Sequence, residues 1–446
     1  MSLPRYKGPY DVGLTTLVLP LRPAFAVGNC RVRGEPALRL DEVAFNVFYP
    51  AKPANRRKRG VHWLIRPFSL TVDGYSKFTS FSKWILAPLF FLLGAFAKMP
   101  VFANAPMRSG DSSPTPADSQ ETFLGDLDTE SESEKRQWPL VLFSHGLAGG
   151  RTTYSTFCGR LASSGYVVLA LEHRDGTGPM VFPKDGNGVV YAKPYSRVDE
   201  VECDDVEPKD LPLHFRATQL EFRKREIYAA YAAFCQLVEG DSAHGGLQSI
   251  DGSPVNWDMF VDTVRCDSDV VLSGHSFGGA TAFHIMSTPP PAGHVDIPIS
   301  KSLVLDPWLD PLPTPGPEPR AGPPRPSLCV INSERFTLWK AHFGRISEVV
   351  SNWKNEKGAE SWLMTISRCR HDSFSDFPLI IPFSHPRGRL LHNVIQRISL
   401  AFLQDRLESE FRKDERYPMH VIQPRIRKKR GKPRLSAPKG RVVWHD

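Results

Sequence analysis

One stretch, DVVLSGHSFGGATAFHIM from Asp269 to Met286, carries the first chemical signal. An apolar run leads into Gly274-His275-Ser276-Phe277-Gly278, and small residues after Gly279 read as the first turns of a helix. Strand, sharp turn and helix are the context in which a G-x-S-x-G serine becomes a nucleophile. The turn strains the serine backbone, and side chains at Gly274 and Gly278 would collide with strand and helix. Ser276 is therefore expected to present its hydroxyl at the carboxyl end of a sheet strand.

A serine hydroxyl attacks a carbonyl only if a base takes its proton, and the base must be oriented by a third group. In enzymes built on this turn the partners come in the chain order Ser, Asp or Glu, His. Asp306 comes directly after the strand-like Ser302 to Leu305, and His371 soon after Trp362 to Ile366. Asp310 and His385 are the competitors, Asp310 further from its strand end and His385 beyond a second apolar run. The tetrahedral oxyanion needs backbone donors, one on the residue after the nucleophile, Phe277, and one on the loop after an early strand, where Leu147 is the choice. His145, His173 and His275 read as turn or buried hydrogen-bonding residues, since none comes after the serine. Neither metal nor other cofactor is needed by this chemistry.

Positioning these groups takes a sheet whose strands end together. Leu17 to Leu21 and Glu42 to Tyr49 read as antiparallel strands. Trp138 to Phe143, Thr153 to Ser164 and Tyr166 to Glu172 then keep a β-α-β rhythm, which demands parallel strands and a crossover helix. Phe215 to Cys235 reads as a helix with Arg223 and Arg225 near Glu221 and Glu226 on its polar side. Leu328 to Ile331 supplies a further strand. The expected fold class is α/β, an α/β-hydrolase fold with a mostly parallel central sheet flanked by helices.

The chain has 446 residues and a formal charge of +8, much of the excess lying in the C-terminal tail, so no nucleic-acid partner is expected. Cys30, Cys158, Cys203, Cys235, Cys266, Cys329 and Cys369 are scattered, with no C-x-x-C pair. That argues against a disulfide framework or zinc site and for a reducing, cytoplasmic setting. The first residues show no signal-peptide core. Residues 1–405 read as one catalytic domain, within which Arg108 to Gln137 is polar, acidic and unable to bury enough apolar area to order itself. Residues 406–446 read as a basic, structureless tail whose Arg425-Ile426-Arg427-Lys428-Lys429-Arg430 run suits anionic headgroups and a nuclear-import signal equally. Trp84 to Ala97 is apolar, but it spans only about 21 Å as a helix against a hydrocarbon core of about 30 Å, and Pro88 interrupts it. It reads as a buried or half-buried cap helix, with a helix lying in a lipid surface as the alternative.

Several blocks then fall in one order: LVLFSHGLAGGRTTYS, LASSGYVVLALEHRDG, VVLSGHSFGGATA, LVLDPWLDPL, INSERFTLW and RHDSFSDF. From Gly8-Pro9-Tyr10 to about Leu403 the chain resembles the platelet-activating factor acetylhydrolase family, most closely its fungal branch. The resemblance implies a calcium-independent serine phospholipase A2 of α/β-hydrolase fold, acting on short or oxidised sn-2 acyl chains. It places nucleophile, acid and base on Ser276, Asp306 and His371 and the oxyanion donors on Leu147 and Phe277. The expected partners are a phospholipid substrate and, peripherally, a lipid surface. The acidic insertion, the missing signal peptide and the basic tail depart from the family pattern. A general short-chain carboxylesterase and a catalytically silent lipid-surface binder are the competing functions.

Overall fold

The computed structural model describes residues 2–53, 60–110, 137–204, 206–354, 359–381, 385–411, 419–422 and 433–445. Strands β1 (Asp11–Ala26) and β2 (Arg39–Ala51) open the chain as a long antiparallel pair. They are joined by β3 (Trp138–Ser144), β4 (Val167–Glu172), β5 (Gln248–Ser249), β6 (Val270–His275), β7 (Ile299–Leu305), β8 (Ser327–Ser333), β9 (Ser361–Ile366) and β10 (Val442–His445). The sheet order is β5-β1-β2-β4-β3-β6-β7-β8-β9-β10. From β4 to β9 every neighbouring pair is parallel, and the strands outside that block pair antiparallel.

The central strands are apolar almost without a break because helices bury both faces of a parallel sheet. Val270 and Leu272 point into a core shared with helices α4 (Leu211–Val238), α5 (Phe277–Ser287) and α6 (Lys340–Lys354), through Phe222, Phe283 and Val349. Val271 points the other way, towards α3 (Ser155–Ala162) and α8 (His385–Leu403), through Phe157, Ile395 and Ile398. Two further helices, α1 (Phe68–Thr79) and α2 (Lys83–Leu93), pack on each other, with Tyr75 stacked on Phe90 at 4.7 Å. Helix α1 also meets α7 (Phe377–Ile380), Tyr75 lying 5.9 Å edge-on to Phe377.

The structure corrects several expectations. Helix α2 is half-buried rather than buried: Leu86 is buried and Ala87, Phe90 and Leu93 are partly covered, while Trp84 is 79% and Leu92 75% exposed. An all-apolar run does not say which face is covered, and α1 covers only one. Cys30 and Cys203 form a disulfide across 173 residues of sequence, so thiol spacing misled. The pair is set by two short strands facing each other, which no local motif announces. Arg223 and Glu226, expected on a polar helix face, are fully buried. The tail is not structureless throughout: Arg441 and β10 cap β9 in register, Ile366 opposite Val442 and Leu363 opposite His445. Pairing there satisfies the ladder groups that β9 would otherwise expose at a sheet edge. Most of the acidic insertion, residues 111–136, and the Arg425 to Arg430 run lie outside the described residues.

Asp376 ties several of these parts together. Its buried carboxylate accepts from Trp63 Nε1 at 3.0 Å, Ser155 N at 2.9 Å, Ser155 Oγ at 2.6 Å and Thr156 N at 2.9 Å. Three donors at the start of α3 and a fourth from Trp63 favour the anion, yet burial outweighs them and pushes the carboxyl up to about 6. A folded pKa above the unfolded one means that this proton stabilises the fold at low pH, and that the contribution is lost as pH rises from about 4 through about 6. The stability advantage of wild type over Asp376→Asn, which cannot titrate, is therefore expected to shrink across that window, by up to about 3 kcal/mol in thermal melts. A gap that widens with pH contradicts this account.

Candidate active site

Strands β3, β6 and β7 lie side by side and parallel, Gly274 opposite Ser144 and His275 opposite Leu305. Their carboxyl ends therefore finish level, and the residues just beyond them converge on one rim. Ser276 leaves β6 at φ 58° and ψ −117°, the strained turn expected of it. No side chain fits at Gly278, whose Cβ would run into the Ser144 carbonyl. The loop after β3 comes equally close: a Cβ on Gly146 would meet Ser276 Cβ at 2.9 Å.

The structure brings Ser276, His371 and Asp306 into one hydrogen-bonded chain. Ser276 Oγ lies 2.9 Å from His371 Nε2, and His371 Nδ1 lies 2.9 Å from Asp306 Oδ2. The ring therefore donates through Nδ1–H to the carboxylate and accepts the serine hydroxyl at Nε2. Asp306 is wholly buried, and its second oxygen accepts from Ser333 N. Phe336 stacks flat on the imidazole at 4.5 Å. Asp310 is turned elsewhere, accepting from Trp308 Nε1 at 3.0 Å, and His385 opens α8, fourteen residues beyond His371. His275, Asp306 and His371 have potential metal-ligand atoms within 4.8 Å of one another, but both His371 nitrogens are already engaged.

Phe277 is the first residue of α5, so its N–H is one of the helix's orphan donors. Leu147 sits in a turn closed by Gly149 N to Gly146 O at 3.0 Å and by Ala148 N to Thr177 O at 2.8 Å. Behind this turn lies a part of the site that sequence reasoning missed. Arg223, paired with Asp175 at 2.7 Å, donates from Nη1 to the His145 carbonyl at 2.6 Å and from Nη2 to Thr177 Oγ1 at 2.5 Å. Its guanidinium also lies over the Phe277 ring, 4.5 Å from the centroid. One buried cation thus touches both segments that carry Leu147 and Phe277. Only helical periodicity placed Arg223 in the sequence, and its Glu221 and Glu226 neighbours made it look like a surface ion-pair residue.

The neighbouring histidines are neutral. Burial, reinforced by the Arg223 charge, lowers His145 to about 3, so it accepts from His173 N at Nε2, 3.2 Å away, and donates from Nδ1 to Gly146 O at 2.8 Å. Burial and then the nearby His371 hold His275 well below the ordinary histidine range. It accepts the Tyr154 hydroxyl at Nδ1 at 2.7 Å, while Gly146 N donates to that hydroxyl oxygen at 3.3 Å.

Known proteins resemble this chain at the level of both sequence and fold. It is 28% identical over 295 residues to platelet-activating factor acetylhydrolase of Gallus gallus, covering 61% of this chain and 62% of that one. It is 27% identical over 345 residues to the same enzyme of Canis lupus familiaris, covering 75% and 66%. The matches thus span less than two thirds of the length of those relatives, 62% and 66%. Among solved structures, the ferulic acid esterase of Streptomyces cinnamoneus superposes with a TM-score of 0.52 at 17% identity, covering 100% of this chain and 99% of that one, so the α/β-hydrolase fold is shared. The family model described as platelet-activating factor acetylhydrolase, isoform II, matches residues 126–421, and with that match covering most of the chain, the protein belongs to this family.

Proposed function

We propose that this protein is a serine esterase that cleaves a short or oxidised sn-2 acyl chain from phospholipids such as 1-alkyl-2-acetylglycerophosphocholine. The observation that carries the reading is the Ser276–His371–Asp306 hydrogen-bond chain on the rim of the parallel sheet. His371 Nε2 takes the Ser276 proton as Oγ attacks the sn-2 carbonyl carbon, and Asp306 holds the ring in the required tautomer and stabilises its cation. Leu147 and Phe277 N–H groups receive the oxyanion. Collapse breaks the ester bond, and the departing lysophospholipid oxygen takes the proton from His371. Water, deprotonated by the same ring, then attacks the acyl-enzyme and releases the carboxylic acid. Charge is met throughout by protein dipoles, so no metal or calcium enters.

Family membership and the exposed face of α2 favour a phospholipid over a free ester. Trp84, Ile85, Leu89, Phe91 and Leu92 form an apolar surface on the helix pair that abuts Phe377, six residues past His371. Each such side chain inserted into lipid contributes about 1.5–3 kcal/mol if fully buried. Phe374, Leu379 and Ile380, soon after His371, do not share this role, because they are core residues. Among the described residues no helix is long and apolar enough to cross a membrane, so α2 is proposed to lie in the surface rather than span it.

Ser276→Ala and His371→Ala are each expected to reduce kcat roughly 10⁴-fold or more on acetylated phospholipid with little change in Tm, whereas His385→Ala and EDTA treatment spare turnover. Undiminished turnover in Ser276→Ala ends the assignment. Leu92→Asp is expected to lower the ratio of vesicle to soluble-ester hydrolysis about tenfold, since it removes an inserted side chain and adds a charge. A constant ratio excludes α2 as the docking surface.

Arg223 is proposed as a positioning residue for both oxyanion donors. Arg223→Met leaves Asp175 buried and unpaired and is expected to cost about 3–5 kcal/mol of stability. Adding Asp175→Asn should recover much of that stability while kcat stays about tenfold or more below wild type with KM little changed. If the double variant regains both stability and kcat, the arginine is structural only.

A further inference from the structure

Four cations gather beside the loop that carries Leu147, and the ester chemistry uses none of them. They line a cavity of about 570 Å³, bounded also by Ile65 and Leu70 at the start of α1: Arg66, Arg151, Arg174 and Lys184 face two acids, Glu42 and Glu172. Arg151 lies four residues beyond Leu147 in the same loop, and Arg174 comes two residues after β4. The acids do not use up this charge. Arg174, 2% exposed, has Nη2 at 2.9 Å from Glu42 and 3.3 Å from Glu172, ion-pair distances at which Nη2 still makes no hydrogen bond among the described residues. Its buried Nε and Nη1 have no hydrogen-bond acceptor among the described residues. Arg151 contacts Glu172 as well, and Asp41, behind the cavity, is held by Arg39 at 3.0 Å and by the Tyr191 hydroxyl at 3.0 Å.

Guanidinium N–H groups buried without an acceptor are costly unless a ligand supplies one. Burial and the Arg174 charge lower Arg151 to about 9, a mutual repulsion that an anion between the two would relieve. Two positive charges in excess, two orphaned donors and a roomy cavity together describe a receptor for a compact, multiply accepting anion.

We propose that this cavity is a phosphate site in which Arg174 supplies the buried donors and Arg66, Arg151 and Lys184 the surrounding charge. The phosphate belongs to a phospholipid headgroup or is free inorganic phosphate. The lipid source rests on the proposed esterase activity: in a glycerophospholipid a few covalent bonds separate the sn-2 carbonyl from phosphorus, and the Gly146 to Arg151 loop runs from beside Ser276 to this cavity. The α1 and α2 pair beside it would then bring an interfacial lipid to headgroup and ester sites together.

The test compares 1-alkyl-2-acetylglycerophosphocholine with the phosphate-free 1-alkyl-2-acetylglycerol in mixed micelles, using the full chain. Wild type is set beside Arg174→Gln and beside Arg66→Gln/Lys184→Gln, whose two exposed positions spare the fold. Thermal melts in inorganic phosphate are referenced to chloride at equal ionic strength. If the headgroup is the ligand, the ratio of kcat/KM for the phosphate-bearing to the phosphate-free ester falls about tenfold in the variants. If free phosphate is the ligand, that ratio holds, while phosphate raises the Tm of wild type and not of the double variant. A constant ratio with no phosphate-specific Tm shift overturns the site. Should wild type cleave neither ester while phosphate still raises its Tm, the esterase reading fails and the phosphate site stands.

Discussion

Parallel pairing of β3, β6 and β7 is the constraint on which the rest depends. Strands hydrogen-bonded in parallel point their carboxyl ends the same way, so the segments leaving those ends meet on one rim. Here the segments are the Gly146-Leu147 turn, Ser276 and Asp306, from three neighbouring strands, and His371 after β9. Their meeting does not depend on any of the long loops between them. It depends on the two-sided apolar packing that holds the strands in register, which is why chemistry and core are inseparable in this chain.

The rim also concentrates charge. Arg223, Asp175, Arg174, Glu226, Glu172 and Glu42 are buried near the carboxyl ends of β3 and β4, an expensive arrangement unless each group is paired. The groups divide into two parts. Arg223 with Asp175 is closed, its donors spent on the His145 carbonyl, Thr177 and the Phe277 face. Arg174 is left with donors to spare. A satisfied network rigidifies its surroundings, whereas an unsatisfied one points to a ligand. That contrast separates a positioning role for Arg223 from a binding role for Arg174.

The strand carrying the base has its own supports. Strand β10 closes the ladder beyond β9, and Ser367, next after β9, donates its N–H to the Arg441 carbonyl at 2.9 Å. Asp376, five residues past His371, anchors the other side of that loop to α3 and Trp63. His371 is thus held between two anchors drawn from distant parts of the chain, while Phe336 covers its ring.

Local patterns were enough to locate strands, the crossover helices and the elbow, because strand–turn–helix periodicity and the glycines around Ser276 are properties of neighbouring residues. Chain order together with nearness to a strand end was enough to nominate Asp306 and His371 over Asp310 and His385. What local patterns could not express were relations between distant residues: the Cys30–Cys203 bond, the burial of Arg223, the pairing of β10 with β9 and the open face of α2. By itself, then, the sequence determined a mostly parallel α/β sheet and the residue types for ester chemistry, since hydrophobic period and turn chemistry are short-range. Only the tertiary structure decided which charges are buried, which donors lack partners and which apolar face meets solvent, because burial is set by what the rest of the chain places alongside.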